Sequence, residues 1–442
     1  VNAYLIAYVA VMPFMGRLSD IVGRRKVYIG ALIVFLLGSI WVPMTNSLPT
    51  FLAGRVITAL GGGALVPVGM AVVSDVYTER RRARALGTLG AIDTLGWVWG
   101  PLYGAMLVRF LSWRWQFWLN IPLTLVGIAA AWWALREHDR PVRRSRIDWA
   151  GATALTVALI SLDLALLDSA QIQSVTGLEE LTGGPGGGLR WLFGVAAISL
   201  GAFVMIQRRT EDPLIDFRVF RGRNAIAAVF INFLVGAVIV IAMVDVPLFV
   251  NVIEVEVERS AVIAGWVLSA MTAAMAVAAY LGGRLAERFS YRAPIVAGLV
   301  LSLTGFAMMG TGWTADIAYT AMAWQLALLG AGFGLIIAPT AAAVVDAATA
   351  DRRGTAASLV MVLRLIGLSV GLAGLTAWGL HRYGQLRGTI QLPPITDPTY
   401  SDVLATAQAD LTTMALSETF LAAAVVAGVG LIVGLAMRKN SR

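Results

Sequence analysis

The chain alternates long apolar runs with short basic connections, and that alternation leaves few folds open to it. Thirteen runs stand out, at residues 1–15, 27–45, 49–74, 84–108, 117–136, 148–168, 189–207, 224–248, 261–282, 293–313, 317–345, 355–380 and 414–437. A helix that crosses a bilayer needs roughly 20 predominantly apolar residues, and every run but the first approaches that length. Only 14% of the residues are charged and the mean hydropathy is +0.77, whereas soluble domains carry about 25% charge. The expected fold is an all-α polytopic membrane protein. Val1 opens inside an apolar run, as in a chain truncated within a helix. A cytoplasmic N-terminus would require one further span ahead of it, making fourteen.

Charge asymmetry gives the orientation. One set of loops, from 16–26 through 80–84, 136–146, 208–223, 284–292 and 352–353 to 438–442, holds 26 of the 34 Lys and Arg residues. The alternate loops hold six, and Arg55 and Arg364 lie within runs. Cytoplasmic loops are the basic ones, so the first set faces inward, and the net charge of +8 reflects topology rather than nucleic-acid binding. Trp113, Trp115 and Trp118 fall at an outer boundary, where indoles favour the headgroup region.

The two ends of the chain repeat each other. Gly16-Arg17-Leu18-Ser19-Asp20, followed by Gly23-Arg24-Arg25, recurs as Gly283-Arg284-Leu285-Ala286-Glu287, followed by Arg292, at an offset of 267. Pro67 recurs as Pro339, and Asp93, Gly96 and Gly100 align with Arg364, Gly367 and Gly371, at offsets of 272 and 271. Both copies keep the same side inside, so the repeat is parallel, about an axis along the membrane normal.

These motifs resemble the major facilitator superfamily. Gly16-Arg17-Leu18-Ser19-Asp20-Ile21-Val22-Gly23-Arg24-Arg25-Lys26 is similar to its signature loop after the second span, and Arg55 with Gly61-Gly62-Gly63 to its fourth-span motif. Gly96-Trp97-Val98-Trp99-Gly100-Pro101-Leu102-Tyr103-Gly104 resembles the fifth-span motif of the antiporter branch. Arg146 to Gly151 and Asp212 to Phe217 resemble the flanks of two extra central helices in the fourteen-span drug:proton antiporters. Gly100 to Gly104, Val244 to Phe249, and Arg364 with Ala377 to Tyr383 are similar to a mycobacterial exporter subgroup that handles drugs and triacylglycerides with a periplasmic lipid carrier.

The resemblance implies two pseudo-symmetric six-helix bundles, 1–136 (lacking its first span) and 224–442, with two extra helices and their linkers in 137–223. It also implies a conformational latch from Gly16, Asp20, Gly23, Arg24 and Arg25, and a proton-relay or structural role for Arg55. Intramembrane charges are costly, about 2.5–3.5 kcal/mol each on insertion scales, and usually mark function. Asp93 and Arg364 hold equivalent positions about nine residues into their spans, so an acid–base pair across the inter-half interface is expected. Gly96, Gly100 and Gly104 recur every fourth residue, lining one helix face where another backbone can approach, and Pro101 bends that helix. Asp163, Asp168, Asp245 and Glu418 lie nearer outer ends, and Asp245 is a secondary candidate because its flanks match the subgroup.

Enzyme chemistry finds little support. No Gly-x-x-x-x-Gly-Lys-Ser/Thr loop exists, the chain has no cysteine, and His138 and His381 are its only histidines, so neither cofactor nor metal is expected. The Gly183–Gly188 run is read as a connector. The expectation is a monomeric exporter of the bacterial inner membrane that exchanges protons for a lipophilic drug or lipid, with a facilitator, an importer or a non-transporting receptor as the alternatives. The polar stretch after Trp378, broken at Pro393-Pro394 and resuming near Ser401 with Leu404, Ala407, Leu411 and Met414 at helical spacing, predicts that the last two helices project beyond the outer surface as a pair with an apolar seam.

Overall fold

The computed structural model describes residues 2–136, 148–169, 191–210, 213, 222–254, 256–387 and 400–438. Each apolar run becomes a helix, because a backbone inside hydrocarbon must satisfy its own N–H and C=O groups. The first part of the chain forms α1 (Asn2–Val22), α2 (Arg24–Trp41), α3 (Leu48–Val76), α4 (Glu79–Phe110), the single turn α5 (Trp115–Trp118) and α6 (Asn120–Ala134). Then come α7 (Trp149–Ser169) and α8 (Trp191–Arg209), and last α9 (Arg223–Ile253), α10 (Val257–Arg288), α11 (Arg292–Gly312), α12 (Tyr319–Ala347), α13 (Arg353–Arg387) and α14 (Tyr400–Leu435). Among the described residues, ten helices are long and apolar enough to cross a membrane. The run expected at 117–136 is preceded by its own short turn, and the helices at 355–380 and 414–437 extend well past those bounds.

Helices α2 and α3 pair, with α1 on α3 and α6 on α2, while α9 to α14 form a second bundle in which α12 packs on α9, α10 and α11. The largest apolar cluster fills that second bundle and reaches Met70, Ala83 and Leu86 of the first. The bundles meet along two seams, α1 against α13 and α4 against α10. Helix association within lipid depends on close packing and interhelical hydrogen bonds, and the seams are built that way.

The central helices α7 and α8 form an antiparallel pair. Gln207 near the end of α8 donates to Asp148 at the start of α7 (2.7 Å), and the same carboxylate accepts the Gly151 N–H (2.8 Å). The pair covers the α1–α13 seam, with Ala152, Leu155 and Phe203 buried against Met12, Leu359 and Val362. Of the expected flanking words, 146–147 and 212–217 other than Pro213 lie outside the described residues, as do His138 and the Gly183–Gly188 run.

Helix α13 runs for 35 residues and α14 for 36, about 52–54 Å at 1.5 Å per residue, against a hydrocarbon core of about 30 Å. Their apolar stretches are 353–372 and 410–435, so residues 373–387 and 400–409 continue beyond them at the end opposite the basic loops. There the two helices pack together, and Arg382 Nε donates to Glu418 Oε2 at 2.5 Å, a contact that pushes the Arg382 pKa up. The expected seam is only partly present. Leu411 is buried and Ala407 half-buried, but Met414 is turned outward with 52% of its surface exposed. The side chain of Leu404 and the Pro393-Pro394 break lie outside the described residues.

Candidate functional site

The basic ends of the two bundles are locked together. Gly23, at φ 110°, holds a left-handed turn that only glycine enters freely, and it separates α1 from α2. That turn returns Arg24 to Asp20, with Nη1 2.5 Å from Oδ1. The Asp20 carboxylate also caps α13 of the other bundle, accepting the N–H groups of Gly354 (3.1 Å) and Thr355 (3.1 Å) and the Thr355 hydroxyl (3.0 Å). A carboxylate at a helix N-terminus meets unsatisfied N–H groups and the positive end of the helix dipole. The site is fully buried, Asp20 at 0% and Arg24 at 2% exposure, so these bonds act at low dielectric.

Around this cap lies a second, symmetric layer that sequence reasoning missed. Asp75 at the end of α3 accepts Arg24 Nε at 3.0 Å and, from the other bundle, Arg353 Nη1 at 3.2 Å. Its counterpart 271 residues on, Asp346, pairs with Arg82, the counterpart of Arg353, and accepts the Tyr291 hydroxyl. Two ion pairs related by the internal repeat therefore cross the interface in opposite directions. Backbone contacts follow the same rule. A Cβ on Gly16 would strike Ser358 Oγ and the Gly354 carbonyl, and one on Gly283 would lie 3.0 Å from the Gly87 Cα. Gly16 and Gly283 are 267 residues apart, as are Gly87 and Gly354. The signal was available, since the Asp-x6-Arg spacing recurs at 75–82 and 346–353.

Arg25, also expected in the latch, stands against α6. Its guanidinium lies 4.2 Å above the Trp132 ring of α6, because one residue along α2 turns it about 100° from Arg24.

Beyond the closure lies a cavity of about 90 Å³ between the bundles, with Tyr8, Asp93 and Thr94 on one wall and Val235, Ile239, Arg364 and Leu368 on the other. Five methionines, Met12, Met243, Met271, Met275 and Met361, complete much of the lining. Thioether side chains adapt to irregular apolar shapes. Pockets that enclose drug-sized ligands measure about 300–1,000 Å³, so this conformation is too tight for a large lipid and the walls must part to admit one.

Asp93 and Arg364 thus face one cavity from opposite bundles, yet they are not joined as an ion pair. Arg364 instead donates from Nε (3.1 Å) and Nη2 (3.0 Å) to Asn232 Oδ1 on α9. Its own bundle offers a buried amide within reach, and the cavity keeps the carboxylate of the other bundle farther away.

The remaining candidates stand apart. Arg55 lies near the outer end of α3, 4.3 Å above the Tyr4 ring and 5.5 Å from that of Phe117. Asp245 is half-buried on α9 and makes no hydrogen bond or ion pair with the described residues. Gly96 does not serve a close helix approach here, since a Cβ there would meet nothing within 4 Å. It sits nine residues past Gly87, which rotates it to the opposite face of α4 from the one that grips α10. Gly100, Pro101 and Gly104 continue α4, and their surroundings, like the side chains of Asp163 and Asp168, lie outside the described residues.

Two bundles related by a parallel repeat, meeting at a latched end below a central cavity, agree with the sequence comparison. Residues 1–372 match the Major Facilitator Superfamily. The chain belongs to that superfamily. It is therefore a multi-pass membrane transporter and not an enzyme. Among its superfamily relatives, a triacylglyceride transporter of Mycolicibacterium smegmatis is 31% identical over 98% of this chain and 79% of its own length. A probable triacylglyceride transporter of Mycobacterium leprae is 30% identical over 98% and 87%, and a triacylglyceride transporter of Mycobacterium tuberculosis 32% identical over 89% and 77%. Among solved superfamily structures, the human organic anion transporter MFSD10 shares the fold, with a TM-score of 0.59 at 17% identity, covering 96% of this chain and 82% of that one.

Proposed function

We propose that this protein exports lipophilic molecules, triacylglycerides or drugs, across the bacterial inner membrane in exchange for protons, by alternating access. The observation that carries the reading is the cavity between the bundles, where Asp93 and Arg364 stand on opposite walls among apolar and methionine side chains. An apolar, adaptable wall binds by area and shape, which suits acyl chains and hydrophobic dyes. An acid in that wall couples the cycle if its protonation favours one access state and substrate the other. The names of the 30–32% identical relatives favour a triacylglyceride as one substrate.

In this reading Asp20, Arg24 and the two repeat-related ion pairs close the cytoplasmic side while the outer side is open. Gly16 and Gly23 give the latch its close approach and its turn, Arg55 tunes the outer end of the proton route, and Gly96 to Gly104 let α4 bend and re-pack as the bundles rock. Helices α7 and α8 are the two extra spans of a fourteen-span antiporter, and the projecting α13–α14 pair passes lipid to a periplasmic carrier.

Inverted membrane vesicles from cells that overproduce the full chain test this. With a preformed pH gradient, acid inside, adding triolein or ethidium should release protons from the lumen, and vesicles carrying Asp93→Asn should not respond. Substrate uptake with no proton movement would refute the antiport.

A further inference from the structure

Arg364 is a full charge within the bilayer, and the residue that holds it is Asn232. This amide is 1% exposed, and both its ends are engaged. Nδ2 donates to the Val360 carbonyl on α13 at 2.5 Å, and Oδ1 accepts Arg364 Nε and Nη2 from the next turn of that helix. The first bond fixes the orientation of the second, because a flipped amide would set two donors against a guanidinium that has no acceptor. The mount is rigid. A Cβ on Gly236, one turn beyond Asn232, would collide with the Arg364 backbone, and one on Gly367 with that of Phe233, so α9 and α13 cross in backbone contact.

We propose that Asn232 is a positioning residue for the ion-coupling step: it holds the Arg364 guanidinium within its own bundle, leaving Asp93 across the cavity free to take a proton, and transfer of Arg364 from Asn232 to Asp93 expels that proton as access changes. The inference rests on the proposed antiport. The ionisable groups facing this site are Arg364 from α13 and, across the cavity, Asp93 from α4 and Tyr8 from α1. Helix α10 contributes Tyr280, whose hydroxyl accepts a hydrogen bond from Arg84. The ionisable residues of α12, Tyr319 and Asp346, lie toward its ends, and Glu418, midway along α14, is paired with Arg382.

The chemistry of the amide supplies the test. Asn232→Leu removes both bonds. Asn232→Asp mimics asparagine only when protonated, for its O–H then donates to Val360 and its C=O accepts Arg364. Ionised, it sets an oxygen against the Val360 carbonyl and holds Arg364 too tightly. Ethidium transport by the full chain in proteoliposomes should fall about tenfold or more in turnover with Asn232→Leu, the scale of one lost bond to a buried charge, with KM changed less than about threefold. The ratio of Asn232→Asp to wild-type turnover, measured at each pH, should rise toward one as pH falls. A flat ratio, or wild-type turnover in Asn232→Leu, overturns the proposal, and recovery of Asn232→Asp at low pH shows that the variant folds. Arg364→Leu is the control. If it transports normally, Arg364 and with it Asn232 fall outside the coupling step, whereas ethidium flux by the wild-type chain with no proton counterflow would mean that the antiport reading itself fails.

Discussion

The Asp20 carboxylate of one bundle accepts the backbone N–H of Gly354 in the other at 3.1 Å, so in the proposed alternating-access cycle the capping residue of α13 belongs to a helix that leaves it when the cytoplasmic side opens. On that proposal, closing this side completes the cap and opening it exposes the first turn of α13, which would link access to helix stability. A cap of this kind is worth about 1–2 kcal/mol, enough to bias a two-state equilibrium without freezing it.

Asp20→Asn is expected to lower transport about tenfold or more while leaving insertion and the gel-filtration profile unchanged. Asparagine keeps one acceptor for the α13 N–H groups but loses the ion pair to Arg24. Wild-type efflux in a well-inserted Asp20→Asn variant would show that the cap does not set the cycle.

The repeat-related ion pairs are expected to act as one gate. The chain has no cysteine, so Met361→Cys places a single reporter in the cavity. Arg82→Ala, or Arg353→Ala, should raise labelling of that thiol by a membrane-impermeant maleimide from the cytoplasmic side, and the combination should raise it further. The swap Asp75→Arg with Arg353→Asp should restore protection. Labelling that ignores all of these changes would remove the pairs from the gate.

Asp93 and Arg364 should behave as partners that meet in another state of the cycle. Each single neutralisation strands a buried charge, at about 3–5 kcal/mol where the site is dry, and should impair transport. Asp93→Arg combined with Arg364→Asp should recover more than either alone, since the exchange restores one acid and one base across the cavity. Strictly additive losses would mean the two never interact.

Much of this was legible in the chain. Apolar length alone located every long helix among the described residues, because lipid leaves the backbone no alternative, and the offset of 267 placed Gly16 and Gly283 at equivalent seams. What the sequence hid were choices between near neighbours. Arg24 and Arg25 are adjacent and alike, and only the rotation along α2 sends one to Asp20 and the other to Trp132. The periodicity of Gly96, Gly100 and Gly104 marks a face but not whether anything touches it in a given state. Asn232 carries no charge and belongs to no motif, so nothing distinguished it until Arg364 was seen to lean on it.

The projecting α13–α14 pair should matter for large cargo. Removing equal lengths from residues 380–387 and 400–407 should reduce triolein export more than ethidium export, since a dye needs no path beyond the headgroups. Equal losses, or none, would make the projection dispensable for lipid. Breaking Arg382–Glu418 by Glu418→Gln should do little alone, because solvent screens an exposed pair.

The central claim is coupling, and it is tested most directly by counting protons. In proteoliposomes containing the full chain and a lumenal pH dye, ethidium driven down its own gradient should move protons the opposite way. A fixed number of protons per dye is expected, and Asp93→Asn should abolish the proton movement. Dye flux of equal rate with no proton counterflow, or proton movement unchanged in Asp93→Asn, would contradict the account.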